Sequence, residues 1–276
     1  MDQPDLEAVW ILGSLWKDLG FAVNRRFRQF IKRIIPRAAL EARRRWLLDR
    51  AVRRADRMFA GKAAPDIFAE IYRKGLWGRL TNGSQFCSGH GSHIAKHVEP
   101  YVEATGAFLS SLGAKPDVVD LGCGDFNVGS RLRPYCARYV ACDVAAPVVE
   151  ANRKGFADAD VEFRQLDIIE SELPPGEVVF IRQVLQHLSN ADIQKIVGKL
   201  YNYRFLVLTE VVPAVEFIPN LDQPTGVSSR MARGLMSGVV LTAPPFLLKA
   251  KAERVLCVSY DEDSLGRLVT TVYELK

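Results

Sequence analysis

A chain of 276 residues, nearly half of them apolar and a quarter charged, can bury one complete α/β core with an appendage. No apolar run approaches the roughly 18 residues of a membrane span, and the acidic start Met1-Asp2-Gln3-Pro4-Asp5 lacks the basic region of a secretory leader. Five scattered cysteines without a CxxC pair suit reduced thiols, so a cytoplasmic protein is expected.

The net charge of +5 is unevenly spread: residues 1–64 hold 15 Lys and Arg against 7 Asp and Glu, and the rest of the chain is slightly acidic. Phe27, Phe30, Ile31, Ile34 and Ile35 recur at helical spacing among arginines and lysines, up to Pro36. A second amphipathic stretch runs from about Ala38 to Phe59. Its apolar face is Leu47, Leu48, Ala51, Val52, Ala55, Met58 and Phe59, and seven arginines fill much of the remainder. Residues 1–64 therefore read as a basic helical arm and residues 65–276 as a catalytic domain. Three roles stay open for the arm. Its apolar stripes can pack on the catalytic domain, residues 20–60 can contact an anionic membrane at its inner face, or the arginines can hold nucleic acid.

Asp66 to Gly75 predicts a short helix, followed by Leu76-Trp77-Gly78. The polar turn Ser88-Gly89-His90-Gly91-Ser92 is expected to open a long helix, with Ile94, Val98, Val102, Phe108, Leu109 and Leu112 on its buried face. Free amides at such a helix start suit a carboxylate or phosphate. Cys87, His90, His93 and His97 fall together, and an i,i+4 histidine pair has zinc-like spacing. With no second cysteine pair and every ligand on one short segment, no metal is expected. His90 or His93 is placed at a substrate mouth and His97 on the surface.

Val118-Val119-Asp120-Leu121-Gly122-Cys123-Gly124 reads as a buried strand running into a glycine turn, the backbone needed to pass close beneath a ligand. The next apolar run ends at Asp143, about 20 residues on, where a carboxylate can accept ribose hydroxyls. A third run, Val161 to Leu166, ends at Asp167. A nicotinamide cofactor would call for glycine at position 127, where Asn127 stands.

These residues resemble the first motifs of the class I S-adenosylmethionine-dependent methyltransferases, over roughly residues 85 to 276. The resemblance implies a Rossmann-like α/β fold with a seven-stranded, mostly parallel sheet, and S-adenosylmethionine as cofactor. It assigns cofactor contacts to Asp120, Gly122, Cys123, Gly124, Asp143, Val144, Asp167, Ile168, Arg182 and Gln183. The sequence departs from the common GxGxG pattern by placing Phe126 where the third glycine would stand. Trp77-Gly78 and the SGxGS turn also resemble small bacterial methyltransferases linked to polysaccharide or surface-glycan synthesis. That implies a small polar or glycan-like acceptor methylated at oxygen or nitrogen. An RNA methyltransferase using the basic arm and a cofactor-binding module without catalysis are the alternatives.

Glu177 to Ile181 is a fourth strand, and Arg182 through His187 lie at its carboxyl end, where the transferable methyl meets the nucleophile in the resemblance. Gln183 and His187 are the catalytic candidates, His187 as a base near neutral pKa. Ser189 with Asp192 reads as a capping box for a helix over 191–200. A fifth strand follows to Glu210, then residues 213 to 250, rich in proline and glycine, as a wall over the acceptor. Arg230 is a candidate for an anionic acceptor group. Two closing strands, Ala252 to Tyr260 and Arg267 to Leu275, predict an antiparallel hairpin.

Overall fold

The computed structural model describes residues 37–78, 86–260 and 265–276. The helix expected around Phe27 to Ile35 lies outside them. The chain divides into two compact units between Met58 and Phe59, ahead of the expected break after residue 64.

Helix α1, Arg37–Phe59, supplies through Met58 the described part of the first unit. In the second, α2 (Ala64–Lys74) starts with proline in its first turn and ends at Gly75, whose φ of 62° is left-handed. Glycine takes that conformation without a Cβ penalty, and its N–H reaches the carbonyls of Ile71 and Tyr72 to close the last turn. Helix α3 is Ala95–Ser110, with Ile94 as its cap residue. The polar turn therefore does not open this helix: His90–Ser92 forms a separate 3₁₀ turn before it.

The sheet consists of β1 (Val118–Leu121), β2 (Tyr139–Asp143), β3 (Glu162–Gln165), β4 (Val178–Arg182), β5 (Phe205–Pro213), β6 (Ala252–Tyr260) and β7 (Gly266–Glu274). Its order is β3-β2-β1-β4-β5-β7-β6. β1 to β5 are parallel, and β7 runs antiparallel to both β5 and β6, the expected closing hairpin. Helices α4 (Gly129–Leu132), α5 (Ala146–Gly155) and α6 (Asn190–Leu200) fall between the strands. β1 and β2 are buried at every position and β4 at all but Arg182, which is why they read as unbroken apolar runs. The edge strand β3 instead carries Glu162 and Arg164, charges that discourage further pairing.

Chain order reverses between β1 and β4, so the crevice beyond their carboxyl ends is the position where open α/β sheets bind ligands. Under that crevice Phe126 packs edge-on against Tyr139, Phe156 and Phe163. Such aromatic pairs contribute about 0.5–1.5 kcal/mol each beyond simple burial.

Candidate functional site

The turn after β1 is drawn in by its neighbours. The N–H groups of Gly122 and Cys123 both donate to the carbonyl of Cys142, at 2.8 and 2.9 Å. Gly122 has φ +81°, and a Cβ there would collide with the Val184 side chain. Gly124 has φ +55°, and a Cβ there would stand 2.6 Å from Ser88 Cβ. Both glycines are thus required by conformation and by space. Phe126, which stands where the third glycine of the GxGxG pattern would be, also takes positive φ, 59°. Its ring leaves no room above Gly129, where a Cβ would lie 2.5 Å from Phe126 Cε2.

Besides Asp125 in the turn itself, Asp143 and Asp120 stand beside it, and Asp167 follows β3. Asp143 is buried, its Oδ2 accepting from Gly124 N–H at 3.0 Å and its Oδ1 from Ala145 N–H at 2.9 Å. Burial pushes its carboxyl up to about 6 despite those amides. Asp120, also buried, accepts from the Tyr139 hydroxyl at 2.9 Å, and burial raises it to about 7. Asp167 accepts from Ile169 N–H at 2.9 Å, while Lys199 Nζ holds the carbonyls of Ile168, Ile169 and Ser171. Cys123 and Val144 are half-buried beside the turn and Ile168 is buried. The thiol of Cys123 is raised well above its usual value, chiefly by burial.

Residues 88–93 lie across the turn, pinned from three directions. Asp125 Oδ2 accepts from Ser88 N–H at 2.9 Å and meets His93 Nε2 at 2.7 Å. Asn127 Nδ2 donates to Ser92 O at 2.6 Å. Arg182, at the end of β4, donates to Gly91 O at 2.7 Å, Ser92 Oγ at 3.2 Å and Gln183 Oε1 at 3.0 Å, its guanidinium 5.0 Å above the Tyr101 ring. Gln183 has φ +56°, a strained conformation of the kind that collects at functional sites, and its amide fills the space where Gly91 lacks a Cβ.

The histidines separate. His93 precedes α3 and is ion-paired with Asp125, which with Cys87 raises it to about 9. His97 is buried rather than on the surface, with Nδ1 2.9 Å from Ser259 Oγ of β6. The expected i,i+4 pair therefore does not share a helix face. The side chain of His90 lies outside the described residues.

His187 packs its ring 5.0 Å from Trp77, which donates to Val227 O at 3.1 Å. Burial pushes this imidazole down to about 4, so the expected base near neutral pKa is instead a neutral, weakly basic ring. Arg230 is also reassigned. It is 1% exposed and donates to the carbonyls of Leu221, Leu185 and Leu188 and to Asn190 Oδ1, so its fork is spent on the protein rather than offered to an acceptor.

Sequence reasoning missed Glu210. Buried inside β5, it accepts from Val184, Leu185 and Gln186 N–H at 3.2, 2.9 and 3.0 Å and so shapes the segment after β4. Burial pushes it up to about 8 against those donors. An acid in the middle of an apolar strand was the available signal. Residues 214–251 contain no helix or strand, as expected, and they are tied to the same segment. Gln223 Nε2 donates to Gln186 O. Ser189 caps α6 by accepting from Asp192 N–H, but its own N–H donates to Thr225 Oγ1, which in turn donates to Asp192. The expected capping box is thus closed through the loop.

Residues 119–203 match the family model described as a methyltransferase domain. An uncharacterized methyltransferase of Mycobacterium tuberculosis and one of Mycobacterium bovis are each 32% identical over 75 residues. Those residues are 26% of this chain, and the chain spans only 38% of the length of these curated relatives. Among solved structures, a SAM-dependent methyltransferase of Leishmania major superposes with a TM-score of 0.52 at 15% identity, over 76% of this chain and 83% of that one. The N-methyltransferase NodS of Bradyrhizobium japonicum, in complex with S-adenosyl-L-homocysteine, gives 0.50 at 16% identity, over 67% and 90%. The sheet order, the glycine turn with its strand-end acids and the matched segment agree: the fold is that of the class I S-adenosylmethionine-dependent methyltransferases, and residues 119–203 are similar to a methyltransferase domain.

Proposed function

We propose that the protein transfers a methyl group from S-adenosylmethionine to a small polar or glycan-like acceptor, at oxygen or nitrogen. The observation that carries this reading is Asp143, a buried strand-end carboxylate 3.0 Å from the amide of Gly124. A ribose lying on the glycine turn would meet that carboxylate, with Asp120 and Asp167 at the neighbouring strand ends. The bound sulfonium would supply an already activated methyl group. The protein's task is then proximity and alignment, a contribution that reaches about 7–11 kcal/mol in well-oriented reactions. Gln183, in its strained conformation beside Arg182, would orient the reacting groups. His187, pushed down to about 4, supports the walls of the site better than it serves as a base. Calorimetric titration with S-adenosylhomocysteine and with NADH tests the cofactor, and mass spectrometry of a metabolite extract incubated with labelled S-adenosylmethionine tests the acceptor. Binding of NADH in place of S-adenosylhomocysteine would reject the reading.

A further inference from the structure

Helix α1 presents a face that its own amphipathic packing does not explain. At 3.6 residues per turn, Arg43, Trp46, Arg50, Arg53 and Arg57 fall at spacings of three and four, one stripe on one side of the helix. All five are exposed, and Arg54 beside them is exposed as well. Trp46 is 53% exposed, in the middle of the stripe, with the Arg50 guanidinium 5.4 Å from its ring. The opposite side carries Leu47, Leu48, Ala51, Val52, Ala55 and Met58, all half-buried. Asp49 lies 3.9 Å from Arg53, and Asp56 stands three residues beyond it along the same edge. An indole on the polar side of an amphipathic helix, ringed by cations, costs solvation unless something covers it.

We propose that this stripe docks on an anionic lipid surface. The headgroup layer takes both components together: phosphates meet guanidinium groups, while indole favours the boundary between polar and apolar layers. The stripe spans about 21 Å of helix, at ~1.5 Å per residue, on a convex helix surface. That shape suits a membrane plane. A single-stranded nucleic acid instead needs a groove and successive stacking platforms, and this face offers one aromatic ring on a convex surface. Among the described residues no helix is long and apolar enough to cross a membrane, so the contact is peripheral.

The test uses the full chain and flotation with phosphatidylcholine vesicles, with and without phosphatidylglycerol. Wild type is expected to float only with the anionic vesicles and to release as salt rises. Arg50→Gln and Arg53→Gln should each lower partitioning about fivefold, the loss of one interfacial arginine. Trp46→Ser should lower it by a similar factor and should remove an indole emission shift seen on adding anionic vesicles. Circular dichroism and S-adenosylhomocysteine affinity, unchanged in all three, separate this contact from folding and from the methyltransferase reading. Equal flotation of Trp46→Ser, Arg50→Gln and wild type would overturn the proposal. So would displacement of the vesicles by poly(U) bound more tightly, which would assign the stripe to nucleic acid.

Discussion

His93 Nε2 and Asp125 Oδ2 meet at 2.7 Å, and this pair fastens the segment in front of α3 to the glycine turn after β1. Asp125, with Cys87 as a second partner, holds His93 up to about 9. Histidine in an unfolded chain titrates near about 6.5. Stability from protonated His93 is therefore complete below about pH 6.5 and is lost as pH rises through about 9. Burial works to raise Asp125, but hydrogen bonds from His93 and Ser88 hold it below the usual carboxylate range. Its share is present above that range and is lost as pH falls through the depressed value. His93→Gln should cost on the order of 1–3 kcal/mol at neutral pH. It should also flatten the decline toward alkaline pH. Urea unfolding of both proteins at several pH values measures this, and parallel curves would show that the pair contributes nothing.

Asp143 carries a cofactor prediction and a structural one. Asp143→Ala should weaken S-adenosylmethionine and S-adenosylhomocysteine binding together by at least about tenfold, since about 1.4 kcal/mol is one decade. The alanine also strips acceptors from the amides of Gly124 and Ala145, each buried loss costing about 1–3 kcal/mol. The fold is therefore expected to weaken, contrary to what a strand-end acid alone suggests. Asp143→Asn, which keeps one acceptor, separates the two effects. Unchanged binding of both ligands to a folded Asn variant would place the ribose elsewhere.

For His187 the sign of the shift decides the expectation. A ring pushed down to about 4 is neutral throughout the physiological range, so it contributes no inflection to the rate near pH 7. His187→Gln should lower turnover through loss of packing on Trp77 and leave the shape of the pH–rate profile unchanged. A wild-type inflection between about pH 6 and 7 that disappears in the variant would restore the base role.

Gly129 and Phe126 should behave as a coupled pair. Gly129→Ala places a methyl 2.5 Å from the Phe126 ring and 2.9 Å from the Tyr139 hydroxyl. Such overpacking costs about 1–3 kcal/mol. In a Phe126→Leu background the added penalty of Gly129→Ala should shrink, because the contact atom is gone. Strict additivity of the two changes, read from denaturant midpoints, would mean the ring moves aside freely.

Much of the sheet was legible because its signals are local. Apolar runs ending in Asp120, Asp143 and Asp167, a glycine turn and a polar hairpin loop each announce an element within a dozen residues. Ser189 likewise declared the start of α6. What escaped depends on partners far along the chain. His97 looks like a surface histidine until β6 brings Ser259 beside it, 162 residues later. Arg230 looks free until the carbonyls of Leu185 and Leu188 close around it. Glu210 looks like the end of a strand, although the three amides that need it lie 24 to 26 residues earlier. Helical spacing also misplaced the start of α3, since apolar periodicity continues through Ile94 and gives no sign of the 3₁₀ turn before it.

The ties from Arg230, Gln223 and Thr225 bind the 214–251 stretch to the residues that follow β4. That stretch is consequently not an interchangeable cassette. Grafting the 214–251 stretch of another protein would remove Arg230 from four acceptors and Thr225 from the start of α6, and the segment after β4 would shift with it. On the reading proposed above, a change of acceptor would have to be made in both segments at once, or by single replacements within 214–251 that leave its three anchors in place.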